Sequence, residues 1–306
     1  MLFQLVPNVR SLHLPLQSKG QYQIFIPPND LCLTLPSLRT LALTSSVPGP
    51  PLDEATPILQ LAPNLEILHC HGCASVTEQF STLLRPTTVA EPSPLQKLTE
   101  LALIDTHLTA TSFGSLMSAV GPYLSKVAIH RTSKFPLPWE WDDSHIIEFN
   151  EVLTALQPWT ENLKGLSFTL YGTSMPREAQ HLRSVNMLRK FQSLEVLRVQ
   201  VACLDFYGHV GPRQDALVST IPNSICELSL VGYSNLTPAL QALLESFRAG
   251  KFEKLCRIQI DDQGYEEFEP EGEAAQELRE VGASFQSVGV DFVVLPGPEK
   301  PEIEEE

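Results

Sequence analysis

Apolar residues recur along the chain in the spacing LxxLxxLxL. The clearest copy is LPSLRTLAL, where Leu35, Leu38, Leu41 and Leu43 carry it. The same register returns at residues 6–14, 62–70, 95–103, 121–129, 160–168, 191–199, 222–230 and 252–260, and a degenerate tenth copy falls on Val290, Phe292 and Val294. Its third positions are Leu12, Leu41, Leu68, Leu101, Val127, Leu166, Leu197, Leu228 and Ile258, separated by steps of 26 (101 to 127) to 39 residues (127 to 166). The alternation at the end of each copy predicts a short strand with two inward side chains. Self-similarity at this period predicts stacked repeats, none of which can bury its apolar face alone.

Between the strands the spacing changes to that of helices. Helices are predicted over 52–61, with Asp53 and Glu54 at the positive end, and over 77–84, with Thr77 as N-cap. Others are predicted over 111–120, 177–191, 214–220, 237–248 and 271–285. In the longest step, Ile146, Phe149, Leu153 and Leu156 form one apolar helical face. For 237–248 the signals are Thr237 as cap, Pro238 in the first position and Gly250 beyond the end. The first strand is expected at 10–14 and the closing one in VGVDFVVLPG. The segment 15–36 is different: QYQIFIPP alternates at period two and its prolines stop a helix, so extended structure is expected.

The phrases LVPNVRSLHL, LPSLRTLAL, LAPNLEILHC and FQSLEVLRV resemble the repeat arrays of fungal F-box/LRR proteins, and nearly the whole chain resembles a leucine-rich-repeat protein. The resemblance implies an α/β fold: a leucine-rich-repeat solenoid of about ten repeats forming a right-handed α/β horseshoe. Parallel strands would line the concave face and helices the convex one. A single repeat domain is expected over 1–295, followed by an acidic disordered tail over 296–306. In F-box proteins a helical segment, usually N-terminal to the repeats, docks the adaptor subunit of a ubiquitin ligase. Met1 opens inside a repeat, so that segment would have to lie upstream. The expected function is protein–protein interaction, as the substrate-recognition array of an F-box-type ubiquitin ligase receptor. The alternative is a free-standing LRR scaffold with no ligase role.

Composition narrows the classes. The 306 residues are 43% apolar, enough for a continuous core. No secretory apolar core and no run of eighteen apolar residues occurs, so a soluble cytoplasmic or nuclear protein is expected. Of the net charge of −15, residues 261–306 hold 15 acidic and 2 basic side chains, a net of −13. The body is close to neutral and carries no basic stripe, which disfavours nucleic acid. Six cysteines, at 32, 70, 73, 203, 226 and 256, are spread without the clustering of secreted LRR caps. Buried free thiols in a reducing compartment are expected.

Candidate binding residues are those that alternate with the strand leucines. One column reads His13, Ala42, His69, Ala102, Ala128, Ser167, Arg198, Ser229, Gln259; two residues on, another reads Pro15, Thr44, His71, Ile104, His130, Thr169, Gln200, Val231, Asp261. The column before the first runs Ser11, Thr40, Ile67, Glu100, Lys126, Gly165, Val196, Glu227, Arg257. Small residues in the middle repeats predict a shallow trough. Arg198, Gln200, Arg257 and Gln259 are hydrogen-bonding groups suited to a carboxylate or an exposed backbone, unless they are simply solvated. His69, His71 and His130 join them as candidates for a monomer that binds a protein on its concave face. The loop WEWDD adds Trp139 and Trp141 as aromatic anchors, or else as a cover for the following helix and Trp159.

His69, Cys70, His71 and Cys73 invite a zinc reading, which fails because alternation sends the histidines out and Cys70 in. No GxSxG, Walker A, HExxH or dinucleotide glycine motif occurs, so neither catalysis nor a cofactor is expected.

Overall fold

The computed structural model describes residues 8–16, 34–45, 51–73, 76–77, 80–84, 93–131, 147–170, 187–204, 207–208, 211–212, 214–232, 236–261 and 272–295. The chain divides into two compact units, Met1–Ser174 and Met175–Glu306. Both are α/β, with parallel strands flanked by helices.

In the first unit β1 (Ser11–Leu16), β2 (Thr40–Ser45), β3 (Ile67–His71), β4 (Glu100–Ile104), β5 (Lys126–Arg131) and β6 (Gly165–Leu170) lie side by side in chain order, all parallel. In the second, β7 (Val196–Gln200) is followed by a two-residue antiparallel pair, β8 (Tyr207–Gly208) and β9 (Gly211–Pro212). The parallel stack then continues with β10 (Glu227–Val231), β11 (Arg257–Asp261) and β12 (Asp291–Leu295).

Each repeat-bearing strand coincides with one copy of the apolar spacing. Register sets equivalent positions opposite each other, so Leu12, Leu41, Leu68, Leu101, Val127 and Leu166 form one row across β1–β6. Leu197, Leu228, Ile258 and Phe292 form the corresponding row of the second unit. From Leu41 onward these residues are buried, as are their neighbours two residues on as far as Ile260. Val294, in the last described strand, is 37% exposed.

Two local rules repeat. At the entries of β2–β6, β10 and β11 one carbonyl of the preceding repeat accepts from two consecutive N–H groups: Arg10 O from Arg39 and Thr40, Glu66 O from Thr99 and Glu100, Cys226 O from Cys256 and Arg257. At the exits of β3, β4 and β10 the chain enters left-handed φ at Gly72 (75°), Asp105 (51°) and Gly232 (87°). Their N–H groups donate to the carbonyls of Ile104, His130 and Asp261 at 2.8–2.9 Å, which places all three in the same turn. Aspartate tolerates that region better than most residues with a side chain.

The helix side follows the predicted pattern with shifted ends. Residues 52–61 form a 3-10 turn, Leu52–Ala55, and then the helix Thr56–Gln60. The helix Phe80–Leu83 lies within the predicted range, and Thr77 is tied to the preceding segment: its backbone N–H and its hydroxyl both donate to the Asp53 carboxylate, while its carbonyl accepts from Phe80 N–H. Ala110–Ala119 is capped by Thr109 in a capping box with Ser112. Phe149–Ala155 buries Phe149, Val152 and Leu153. In Thr237–Arg248 the cap position belongs to Leu236, so Thr237 is the first helical residue rather than the cap, and it is buried. Ala216–Thr220 and Glu273–Ser287 complete the set. The calls over 15–36 and 177–191 fall largely outside the described residues, and the tail 296–306 wholly so.

Gly121 stands where four other copies carry leucine or phenylalanine, at Leu35, Leu95, Phe191 and Phe252. Its N–H donates to Leu95 O, and a Cβ there would meet Gln96 O at 2.0 Å. Backbone cannot swing aside, so Gly121→Ala should cost about 1–3 kcal/mol, towards the upper end. At Gly114, inside Ala110–Ala119, nothing lies within 4 Å of an added Cβ. There the same substitution should stabilise by about 0.5–1 kcal/mol. Urea unfolding of the two variants should therefore shift in opposite directions.

Candidate functional site

The side chains that alternate with the buried rows form one face of each unit. In the first unit register aligns His13, Ala42, His69, Ala102, Ala128 and Ser167 as neighbours, and beside them Pro15, Thr44, His71, Ile104, His130 and Thr169. These are the columns expected from alternation alone, and the register brings His69, His71 and His130 onto one face.

What alternation does not predict is that the polar groups of this face hold one another across strands. His69 Nε2 lies 2.8 Å from Glu100 Oε1, and Lys126 Nζ lies 3.8 Å from the other oxygen of Glu100. His71 Nε2 lies 3.2 Å from Asp105 Oδ2, a carboxylate only 5% exposed. The His130 ring sits between two hydroxyls of β6, with Nδ1 2.6 Å from Thr169 Oγ1 and Nε2 3.0 Å from Ser167 Oγ. His13 Nε2 reaches Thr44 Oγ1 at 3.1 Å.

The two β3 histidines lean apart. Glu100 is paired in register with Ile67, so His69 tilts towards the strand start, while Asp105 lies one residue beyond Ile104, the partner of His71, so His71 tilts towards the strand end. They therefore do not form a chelating pair, and among the described residues no three His, Cys, Asp or Glu side chains converge on a metal position. Between them the floor is Ala102, 8% exposed, with Ala128 beside it. The result is a shallow apolar floor between two rims of side chains already fixed by hydrogen bonds. Cys70 points away from it: Cys70 and Cys73 are both buried, and the hydrogen bond that the Cys70 thiol donates to Cys73, then burial, holds the Cys70 thiol well above its ordinary value.

In the second unit the four candidates separate. Arg198 crosses over β10 and places Nη2 2.7 Å from Asp261 Oδ2 on β11; its side chain is 33% exposed and that of Asp261 4%. Its Nε and the Ser229 hydroxyl beneath it are buried without a partner. Arg198 is thus committed to an internal ion pair, because a buried carboxylate left alone is costly. Gln200, expected on the open face, is 5% exposed; Val231 and Asp261 of the same column are buried too. At β7 the column is followed directly by the 3-10 turn Val201–Cys203. Arg257 remains open, its Nε 3.6 Å from Asp291 Oδ2 with both side chains about half exposed, and Gln259 is half-buried. Trp139 and Trp141 lie outside the described residues.

Asp105, Glu100, Lys126 and Asp261 are the participants that sequence reading passed over as site residues. For Asp105 a signal existed: it occupies the turn position that holds Gly72 and Gly232, where an acid is retained despite a conformation suited to glycine. For Asp261 there was none, since an aspartate at a strand end reads as solvated.

On the helix side a cleft of about 500 Å³ opens beside Met117, Val120, Pro122, Ala155 and Pro158, roofed by Trp159, whose Nε1 donates to Gly121 O at 2.8 Å. Its walls are mainly apolar and bring no set of polar groups together. Among the described residues no helix is long and apolar enough to cross a membrane. No family model matches this chain, and no curated protein matches it.

Proposed function

We propose that this chain is a protein-interaction module of the leucine-rich-repeat type, a right-handed horseshoe that binds a protein partner on its concave strand face and performs no catalysis. The observation that carries this reading is the fixed rim of the first unit: His69, His71 and His130 are each hydrogen-bonded to a neighbouring strand or its exit, while the His69 and His71 side chains stay 43% and 45% exposed. Side chains ordered before binding lose less freedom on binding, which is what a recognition surface requires. One strand per apolar copy, in uninterrupted register, supports the repeat assignment.

Joined to an F-box, such an array would select substrates for a ubiquitin ligase, in keeping with the fungal F-box/LRR resemblance of its repeats. The same face would serve a scaffold without a ligase. The proposal places the protein in the cytoplasm or nucleus.

Affinity purification with mass spectrometry tests both levels. Lys126→Glu and Arg257→Glu reverse exposed charges with little effect on folding, since surface pairs of this kind contribute about 0–1 kcal/mol. At least one partner should drop about tenfold or more in recovery, corresponding to about 1.4 kcal/mol in affinity. Equal recovery of every partner from both variants and the parent rejects the face. Recovery of a ligase adaptor assigns the receptor role, and partners recovered without one assign the scaffold.

A further inference from the structure

We propose that Cys226 and Cys256 are a surface dithiol that closes to a disulfide under a peroxide oxidant, a modification site at the strand entries of β10 and β11. The inference is independent of what the strand face binds.

The two cysteines occupy the same place in consecutive repeats, each one residue before its strand. Glu227 pairs in register with Arg257, so Cys226 lies beside Cys256. Cys256 N–H donates to Cys226 O at 2.8 Å, and the Cys256 thiol rests on the same carbonyl, its Sγ 3.3 Å away. Adjacent strands lie about 4.8 Å apart, and disulfides span Cα separations of roughly 4.4–6.8 Å. Closure therefore needs side-chain rotation and no backbone movement.

An equivalent pair elsewhere shows that side chains at this position reach each other. Arg39 and Glu66 stand one residue before β2 and β3, and they join as an ion pair with Nε and Oε1 3.1 Å apart.

Access separates this pair from the other described cysteines. Cys70, Cys73 and Cys203 are buried, Cys226 is half-exposed and Cys256 exposed. Among the described residues the expectation of buried thiols is thus corrected at two neighbouring positions. Burial, and after it the neighbouring Cys256, holds the Cys226 thiol above its ordinary value. Peroxide is met first by Cys256, the exposed member of the pair.

The Cys256 thiolate attacks one peroxide oxygen, the O–O bond breaks, and hydroxide leaves with a proton taken from solution, giving sulfenic acid and water. The Cys226 sulfur then attacks the Cys256 sulfur, losing its proton as the S–O bond breaks and a second water departs. Two thiols and one hydrogen peroxide thus become one disulfide and two waters. The bond would tie together the residues that directly precede Glu227 and Arg257 on the strand face.

The test treats the reduced full chain with hydrogen peroxide and maps its cysteines by mass spectrometry. The expected product is a cross-linked pair of peptides bearing Cys226 and Cys256, lighter than the reduced pair by two hydrogens, restored by dithiothreitol and absent from Cys256→Ser. In Cys226→Ser the sulfenic acid at residue 256 has no resolving thiol, so its trapping by dimedone should rise several-fold over the parent. A parent in which Cys256 is only over-oxidised, or bonded only between chains, overturns the proposal. So does equal dimedone trapping in the parent and Cys226→Ser.

Discussion

Phe168→Ala should lower the stability of the first unit by about 3–5 kcal/mol, the range for deleting a buried aromatic ring. Phe168 is fully buried on β6 and sits in the row that contains Leu43, Cys70, Leu103 and Ile129. Its ring lies 5.2 Å from that of Phe149, tilted by 37°, so it also joins the strand stack to the helix Phe149–Ala155. Alanine removes the ring from both neighbours, and the surrounding strands are held in register by backbone bonds that resist collapse into the void. Domains commonly have only about 5–15 kcal/mol in total, so the loss brings the unit close to unfolding. Urea titration measures it, with Phe168→Leu as a control that keeps most of the volume and should lose less. A cost below about 1 kcal/mol for alanine would show that the site refills and that this ring does not join the layers.

The second large effect is expected at Arg198. Removing the guanidinium by Arg198→Met leaves the Asp261 carboxylate, 4% exposed, without its ion-pair partner. Breaking a fully buried pair costs about 3–5 kcal/mol. Arg198 is one-third exposed, so water offsets part of the loss, and about 2–3 kcal/mol is the expected range, in line with hydrogen bonds to charged groups. The double variant Arg198→Met with Asp261→Leu removes both charges and should recover much of that stability. These results would identify Arg198 as a clamp across β7, β10 and β11. If Arg198→Met instead left unfolding unchanged while abolishing partner recovery, Arg198 would be a recognition residue and the clamp reading would fail.

That reassignment shows how much of the site was legible in the chain. Alternation correctly set His69 and His71 against Cys70, because the direction of a strand side chain depends only on the parity of its position. The same rule put Gln200 and Arg198 in outward columns, and there it was incomplete. Gln200 stands at an outward position of its strand, yet it is 5% exposed. Arg198 starts in the open column, yet its long side chain reaches Asp261, 63 residues later. A helix start was misjudged at Thr237 for a related reason. A threonine before an apolar run signals a cap, but Thr237 is drawn into the helix and buried.

The apolar spacing alone was enough to locate all ten repeat strands and their inward rows, because burial of a strand face is periodic in sequence and each copy repeats the same local requirement. Which outward groups stay available was decided by tertiary structure. Register sets Glu100 beside His69 and Cys226 beside Cys256 across gaps of about thirty residues, and Arg198 reaches Asp261 across an intervening strand. Those contacts join residues from different repeats, and no local periodicity encodes them.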